Sequence, residues 1–186
     1  MEAVKILSSV SDSLEIVGFK GKIENINETL ELVNDIIYNC CDGCIIQLMD
    51  AKAIAGIIHI EHGILHGMNA FERGENIANN LGIEICLRTA GVRQISKALE
   101  IFGLKKGEMD LCAVLINCPD YFIDELSRYF TRDDSVLAPN DSILKDIYNI
   151  SSKELNSMYV STTKTNEISN ISSILIDRTT VLISEI

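Results

Sequence analysis

The chain has 186 residues, 47% hydrophobic and 23% charged, enough for one globular domain with a real core and no structural staple. A formal net charge of −11 argues against a protein that grips nucleic acid by bulk electrostatics, because phosphate binding rests on clustered Lys and Arg. No stretch has the length of a membrane span, and the N-terminus lacks a basic region followed by an apolar run and a small-residue cleavage site. A soluble, cytoplasmic protein without membrane contact is therefore expected.

From the N-terminus, Leu14-Glu-Ile-Val-Gly-Phe-Lys-Gly-Lys-Ile23 is rich in β-formers and predicts the first strand. Asn27 can cap a helix on which Leu30, Val33 and Ile37 share a face. Asp42-Gly43 turns the chain into a short buried strand, Cys44-Ile-Ile-Gln-Leu-Met49. A long helical segment follows from about Ala53 to Asn80, with Gly74 as a candidate break, its apolar side including Ile57, Ile58, Leu65 and Met68. Ile83, Ile85 and Leu87 alternate with Glu84, Cys86 and Arg88, the period of a half-buried strand.

Between Gly91 and Gly103, Ile95, Ala98, Leu99 and Phe102 fall at i, i+3, i+4 and i+7, so this helix is expected to pack Ile95, Leu99 and Phe102 onto the sheet. Leu111-Cys-Ala-Val-Leu-Ile116 reads as a central strand. Pro119-Asp120 opens a helix carrying Ile123, Leu126 and Phe130. Two short helices are expected beyond Pro139, the second opened by the capping box Ser151-x-x-Glu154. Residues 151–173 form a polar segment that could be mobile. Beyond it, Ile168, Ile171, Leu175 and Leu182 are spaced for a helix, while the β-branched run Ile174 to Ile183 also suits a strand. Elements mixed in this way predict a single α+β domain over residues 1–186, a mostly antiparallel sheet with several helices packed against it.

Six cysteines are present, and Cys40, Cys41 and Cys44 are clustered. Cys41-x-x-Cys44 is half of a zinc or redox signature, with no second pair at matching spacing. The plainer reading is a turn entering a buried strand, with the thiols reduced. No Gly-rich phosphate loop, H-E-x-x-H or G-x-S-x-G motif occurs, and Gly18-x-x-Gly21 is too short to count. The residues give no support to an enzyme, a catalytic side chain or a cofactor.

Two segments carry more. His59, His62 and His66 lie at i, i+3 and i+7 on one helical face that continues to Asn69 and Arg73. Three readings are open: a solvated polar face, a weakly basic surface for RNA or a partner, or a zinc-dependent hydrolase site needing one further ligand. Gly56, Gly63 and Gly67 each cost a helix about 1 kcal/mol relative to Ala, so another backbone should come close, inside the fold or across an interface. Gly63 and Gly67 are accordingly the candidate partner-binding residues. The second segment, Arg88 to Lys106, holds Arg88, Arg93, Lys97, Lys105 and Lys106 against Glu100 alone. A solvated helix face is the usual account of such a run, and a binding patch is the other reading.

The same segments carry a resemblance. Asn69-Ala-Phe-Glu-Arg-Gly-Glu-Asn-Ile-Ala78, Gly82-Ile-Glu-Ile85 and Ala90-Gly-Val-Arg-Gln-Ile-Ser-Lys-Ala98 look like the most characteristic stretch of the PRPK-binding protein family. That family supplies a small subunit of KEOPS, the complex that places threonylcarbamoyl on adenosine in tRNA. The likeness runs from the first strand to the Ile168–Ile186 segment, and the polar tail looks longer than in the relatives. The resemblance implies a non-catalytic, regulatory subunit that binds the atypical kinase subunit of the complex and, in archaeal relatives, the 3′ CCA end of tRNA. A basic patch of Arg73, Arg88, Arg93 and Lys97 is the candidate contact to that RNA end, the alternative being a purely regulatory kinase partner that never touches RNA.

Overall fold

In the computed structural model, which describes residues 14–38, 43–155 and 170–184, two ten-residue strands pair antiparallel along their whole length. They are β1 (Leu14–Ile23) and β3 (Gly107–Ile116). β2 (Ile45–Asp50) pairs antiparallel with β3, and the two-residue β4 (Thr131–Arg132) with β1, giving the order β2-β3-β1-β4. The helices in chain order are α1 (Ile26–Tyr38), α2 (Ile57–Arg73), α3 (Leu81–Ala90), α4 (Ile95–Phe102), α5 (Tyr121–Ser127), α6 (Asp141–Ile147) and α7 (Asn170–Ser184). The α+β class and the antiparallel sheet expected from the sequence both hold.

Contacts group the chain into two compact units, one drawn from the chain through Ala51 with Gly103–Val136, the other from Lys52–Phe102 with Leu137–Ile186. In the first, the period of two places Val17, Phe19 and Ile23 of β1, Met109, Leu111, Ala113 and Leu115 of β3, and Ile46 and Leu48 of β2 in one core cluster. The register sets Val17 opposite Ala113 and Phe19 opposite Leu111. Val33 and Ile36 of α1 and Phe122 and Leu126 of α5 pack into the same cluster. Asn25 rather than Asn27 opens α1, its Oδ1 accepting from Asn27 N–H at 3.0 Å, and Leu30 is exposed.

Cys44, just before β2, and Cys118, just after β3, form a disulfide with their Cα atoms 4.8 Å apart. This corrects the expectation of reduced thiols for that pair. The cause is register: Ile45 sits opposite Ile116, which brings together cysteines 74 residues apart in sequence. Cys86 and Cys112 are buried and lie outside this disulfide, and burial pushes the Cys86 thiol up to about 12. Cys41, and with it the C-x-x-C reading, lies outside the described residues.

In the second unit, Ala55, Leu144, Tyr148, Ile150, Ile171, Ile174 and Leu175 form one cluster. The C-terminal element is thus a helix rather than a strand. Ser172 of α7 donates to the Ala55 carbonyl at 2.7 Å, and Tyr148 to the Ala53 carbonyl at 2.8 Å. The capping box forms as read: Glu154 N–H donates to Ser151 Oγ at 3.2 Å, and Ser151 N–H to Glu154 Oε2 at 2.8 Å. Most of the polar 151–173 segment lies outside the described residues.

Two expectations need correction here. The long helix begins at Ile57 rather than near Ala53, and it does break at Gly74, which adopts a left-handed conformation and stops α2 in a Schellman pattern, Gly74 N–H to Phe71 O and Glu75 N–H to Ala70 O. The alternating segment at Ile83, Ile85 and Leu87 is helix α3, not a strand. Asn80 Oδ1 accepts from Ile83 N–H at 3.2 Å to open it, and left-handed Gly91 closes it. Residues 84–90 of α3 are all buried, so no polar face exists to reveal a helical period. No helix among the described residues is long and apolar enough to cross a membrane.

Candidate functional site in the helical unit

The close backbone approach read from the glycines is internal. A Cβ on Gly63 would overlap the Thr89 side chain and come within 2.9 Å of its Cα, while one on Gly67 would lie 3.1 Å from Ile85 Cγ1. Gly63 and Gly67 are both buried where α2 meets α3, so neither is available to a partner. The partner-facing assignment of these two residues does not survive.

His59 is buried in the same packing, 1% exposed. Its Nδ1 accepts from Ala55 N–H at 3.1 Å, which makes Nε2 the protonated nitrogen that donates to the Thr89 carbonyl at 2.9 Å. Burial holds its pKa down to about 4, opposed by that bond to Thr89. Both ring nitrogens are thus engaged inside the fold, and His59 shares no open face with His62 and His66. Neither the solvated face nor a three-histidine metal face describes this helix. His62 and His66 pair instead with each other, Nε2 to Nε2 at 3.2 Å.

Arg88 is 1% exposed and ion-paired with Glu84. Its Nε donates to Glu84 Oε1 at 2.8 Å and its Nη2 also reaches the Glu75 carbonyl at 3.3 Å. The other carboxylate oxygen of Glu84 accepts from Ile77 and Ala78 N–H at 2.9 and 2.8 Å. Arg88 therefore secures the turn between α2 and α3 and cannot meet a phosphate, which removes it from the basic patch. The clue in the sequence was Glu84 standing four residues before Arg88, a helical ion-pair spacing that the strand reading hid.

The other basic candidates are on the surface: Arg73 ends α2, Arg93 precedes α4, and Lys97 lies on it. Among the described residues of α4, Ala98 and Phe102 are buried, whereas Ile95 and Leu99 are 41% and 42% exposed. The expected packing of Ile95 and Leu99 onto the sheet is thus overturned. At about 100° per residue, Ile95 and Leu99 form one edge of an apolar arc wider than the part of the helix that is covered. Ser96, Lys97 and Glu100 fall on the side away from the buried residues, and all three are exposed, as is Arg93 just before the helix. The helix presents solvent with an apolar edge and a polar side of mixed charge.

Residues 22–181 match the family described as kinase binding protein CGI-121. The chain belongs to that family. Among its relatives, the KEOPS complex subunit Cgi121 of Pyrococcus abyssi is 38% identical over 85 residues, covering 46% of this chain and 43% of that protein. The chain thus matches less than half the length of this relative. The regulatory protein Cgi121 of Methanocaldococcus jannaschii is 30% identical over 127 residues, 63% of this chain and 78% of that protein. The family seen in the segments from Asn69 to Ala98 is the one the whole-chain comparison finds. Those segments cover the last turn of α2 and the turn after it, parts of helix α3, and the first half of α4. Sequence reasoning located this region but missed Glu84 and the exposed pair Ile95 and Leu99.

Proposed function

We propose that the chain is the non-catalytic, kinase-binding regulatory subunit of a cytoplasmic KEOPS complex, with α4 as its docking helix. Its place in the kinase binding family and the relatives' names support the assembly. The observation that carries the surface is the exposed apolar edge formed by Ile95 and Leu99. Two neighbouring apolar side chains left in solvent, on a helix held down by Ala98 and Phe102 alone, offer a partner an apolar patch to cover. Full burial of such a side chain contributes about 1.5–3 kcal/mol, so covering their exposed fraction would add about 1 kcal/mol each.

Lys97 on α4, Arg93 just before that helix and Arg73 at the end of α2 are the proposed contacts to the 3′ CCA end of tRNA. A few charge-assisted contacts to phosphate imply modest affinity and a shallow salt slope, near −0.7 per phosphate on a single strand. The net charge of −11 favours a second reading, a kinase regulator that does not touch RNA. One titration series separates them: the chain with the KEOPS kinase, then with tRNA bearing or lacking CCA, each at low and high salt. Kinase binding with CCA-dependent, salt-weakened RNA binding supports the first. Kinase binding alone supports the second, and failure to bind the kinase rejects both.

A further inference from the structure

His62 and His66 are left over once the packing of α2 is accounted for. They stand one turn apart, half-buried, with ring centroids 4.3 Å and Nε2 atoms 3.2 Å apart. Helical i, i+4 spacing turns both rings the same way. A hydrogen bond between the two nitrogens employs one proton and leaves His62 Nδ1 buried with no hydrogen-bond partner among the described residues. Such an arrangement does not serve helix packing, since apolar side chains would fill the same space without an unsatisfied atom.

We propose that His62 and His66 chelate one borderline divalent transition ion, such as Zn²⁺, Ni²⁺ or Cu²⁺, through their Nε2 atoms. Imidazole nitrogens hold zinc at about 2.0–2.1 Å, so nitrogens 3.2 Å apart subtend about 99–106° at the ion. That lies between the right angle of octahedral or square-planar sites and the tetrahedral angle, so the spacing of the two nitrogens already suits one ion, and a turn of the rings out of their mutual hydrogen bond aims both lone pairs at it. A neutral imidazole offers one nitrogen lone pair to a metal, and each of the two rings has its Nε2 turned toward the other. Each neutral ring keeps one proton, which sits on Nδ1 once Nε2 takes the ion, so binding expels none.

The surrounding charges act in both directions. Asp177, exposed on α7, favours a cation at His62, whereas Arg88 and Arg73 oppose one at His66, and the charge of Arg88 is offset by Glu84. Among the described residues no group of three or more His, Cys, Asp or Glu is placed to hold an ion. Water or an outside donor therefore completes the coordination, affinity is modest, and Cu²⁺ should bind more tightly than Zn²⁺. This is a two-point chelate rather than a hydrolytic centre, and it stands independently of kinase or tRNA binding.

The test is a titration of the metal-stripped full chain with ZnCl₂, followed in the histidine ring nitrogen spectrum, and with NiCl₂, followed by thermal melting. Expected are displaced His62 and His66 ring signals with His59 unmoved, a rise in Tm reversed by a chelator, and loss of both responses in His62→Gln and His66→Gln. Ring signals unmoved by millimolar ZnCl₂ in the unmodified chain would overturn the proposal, even if the variants fail to fold. A melting response that persists in both variants would overturn it too, because the ion would then bind elsewhere.

Discussion

Glu84 and Arg88 form an ion pair shut off from solvent, one helical turn apart on α3 and 2.8 Å from Oε1 to Nη2. Desolvating two charges is costly, and the pair is held by further hydrogen bonds: two backbone N–H donors to the carboxylate and a carbonyl accepting from the guanidinium. Removing one partner strands the other charge. Arg88→Met should lower unfolding free energy by about 3–5 kcal/mol in urea titration. Arg88→Met with Glu84→Gln should recover part of that loss but not all, because a neutral amide is a poorer acceptor for the Ile77 and Ala78 N–H groups.

Gly63 and Gly67 look alike in sequence and differ in space. Alanine at either position gains about 1 kcal/mol of helix propensity. At Gly63 the added methyl meets the Thr89 side chain and backbone, so Gly63→Ala should destabilise by about 1–3 kcal/mol net of that gain. At Gly67 the added methyl meets Cγ1 of the buried Ile85 at 3.1 Å and its backbone at 3.4 Å, a milder overlap, so Gly67→Ala should cost clearly less than Gly63→Ala. Paired thermal melts of the two variants check the contrast. Equal losses would mean that the approach of α2 to α3 is not as described.

Where one side of an element faces water, the sequence could be read. The alternation of Val17, Phe19, Lys20 and Lys22 in β1, and the apolar run from Leu111 to Ile116, point to strands because their environments differ by face or are uniformly dry. α3 failed that test, since burial on every side erased the period and left its three Ile and Leu residues alternating by chance. Local capping chemistry at Asn80 and Gly91 was the better guide, outweighed by the apparent period of two. The Cys44–Cys118 bond and the Glu84 contacts to Ile77 and Ala78 depend on tertiary placement. Arg88 was misplaced because a charge in a list shows its sign but not its partner.

His59 should make the protein acid-sensitive. Its folded-state pKa is about 4 against an ordinary 6.5, so the unfolded chain takes up the proton first. The stabilisation is fully present above about pH 6.5 and is lost as pH falls toward about 4, with an upper limit on the order of 3 kcal/mol. Structurally, a proton on Nδ1 ends its acceptance of the Ala55 N–H. Urea titrations at closely spaced pH values should show the free energy falling through that window. The slope should shrink in His59→Gln, whose baseline stability is lower because polar groups at Ala55 and Thr89 lose a well-placed partner.

Position along α4 decides what a truncation costs. Phe102→Ala empties a fully buried site and should cost about 3–5 kcal/mol, whereas Leu99→Ala should stay within about 0.5–1 kcal/mol of the parent in chemical denaturation. The order reverses if Leu99 packs inward as its spacing alone would have it.

The most direct measurement is calorimetric titration of the KEOPS kinase subunit with the full chain carrying Ile95→Asp or Leu99→Asp, alongside a melt of each variant. If the exposed edge of α4 is the docking surface, each charge should weaken binding at least tenfold, about 1.4 kcal/mol, while the melting temperature stays close to that of the parent. Unchanged kinase affinity in both folded variants would contradict it and place the interface on another surface.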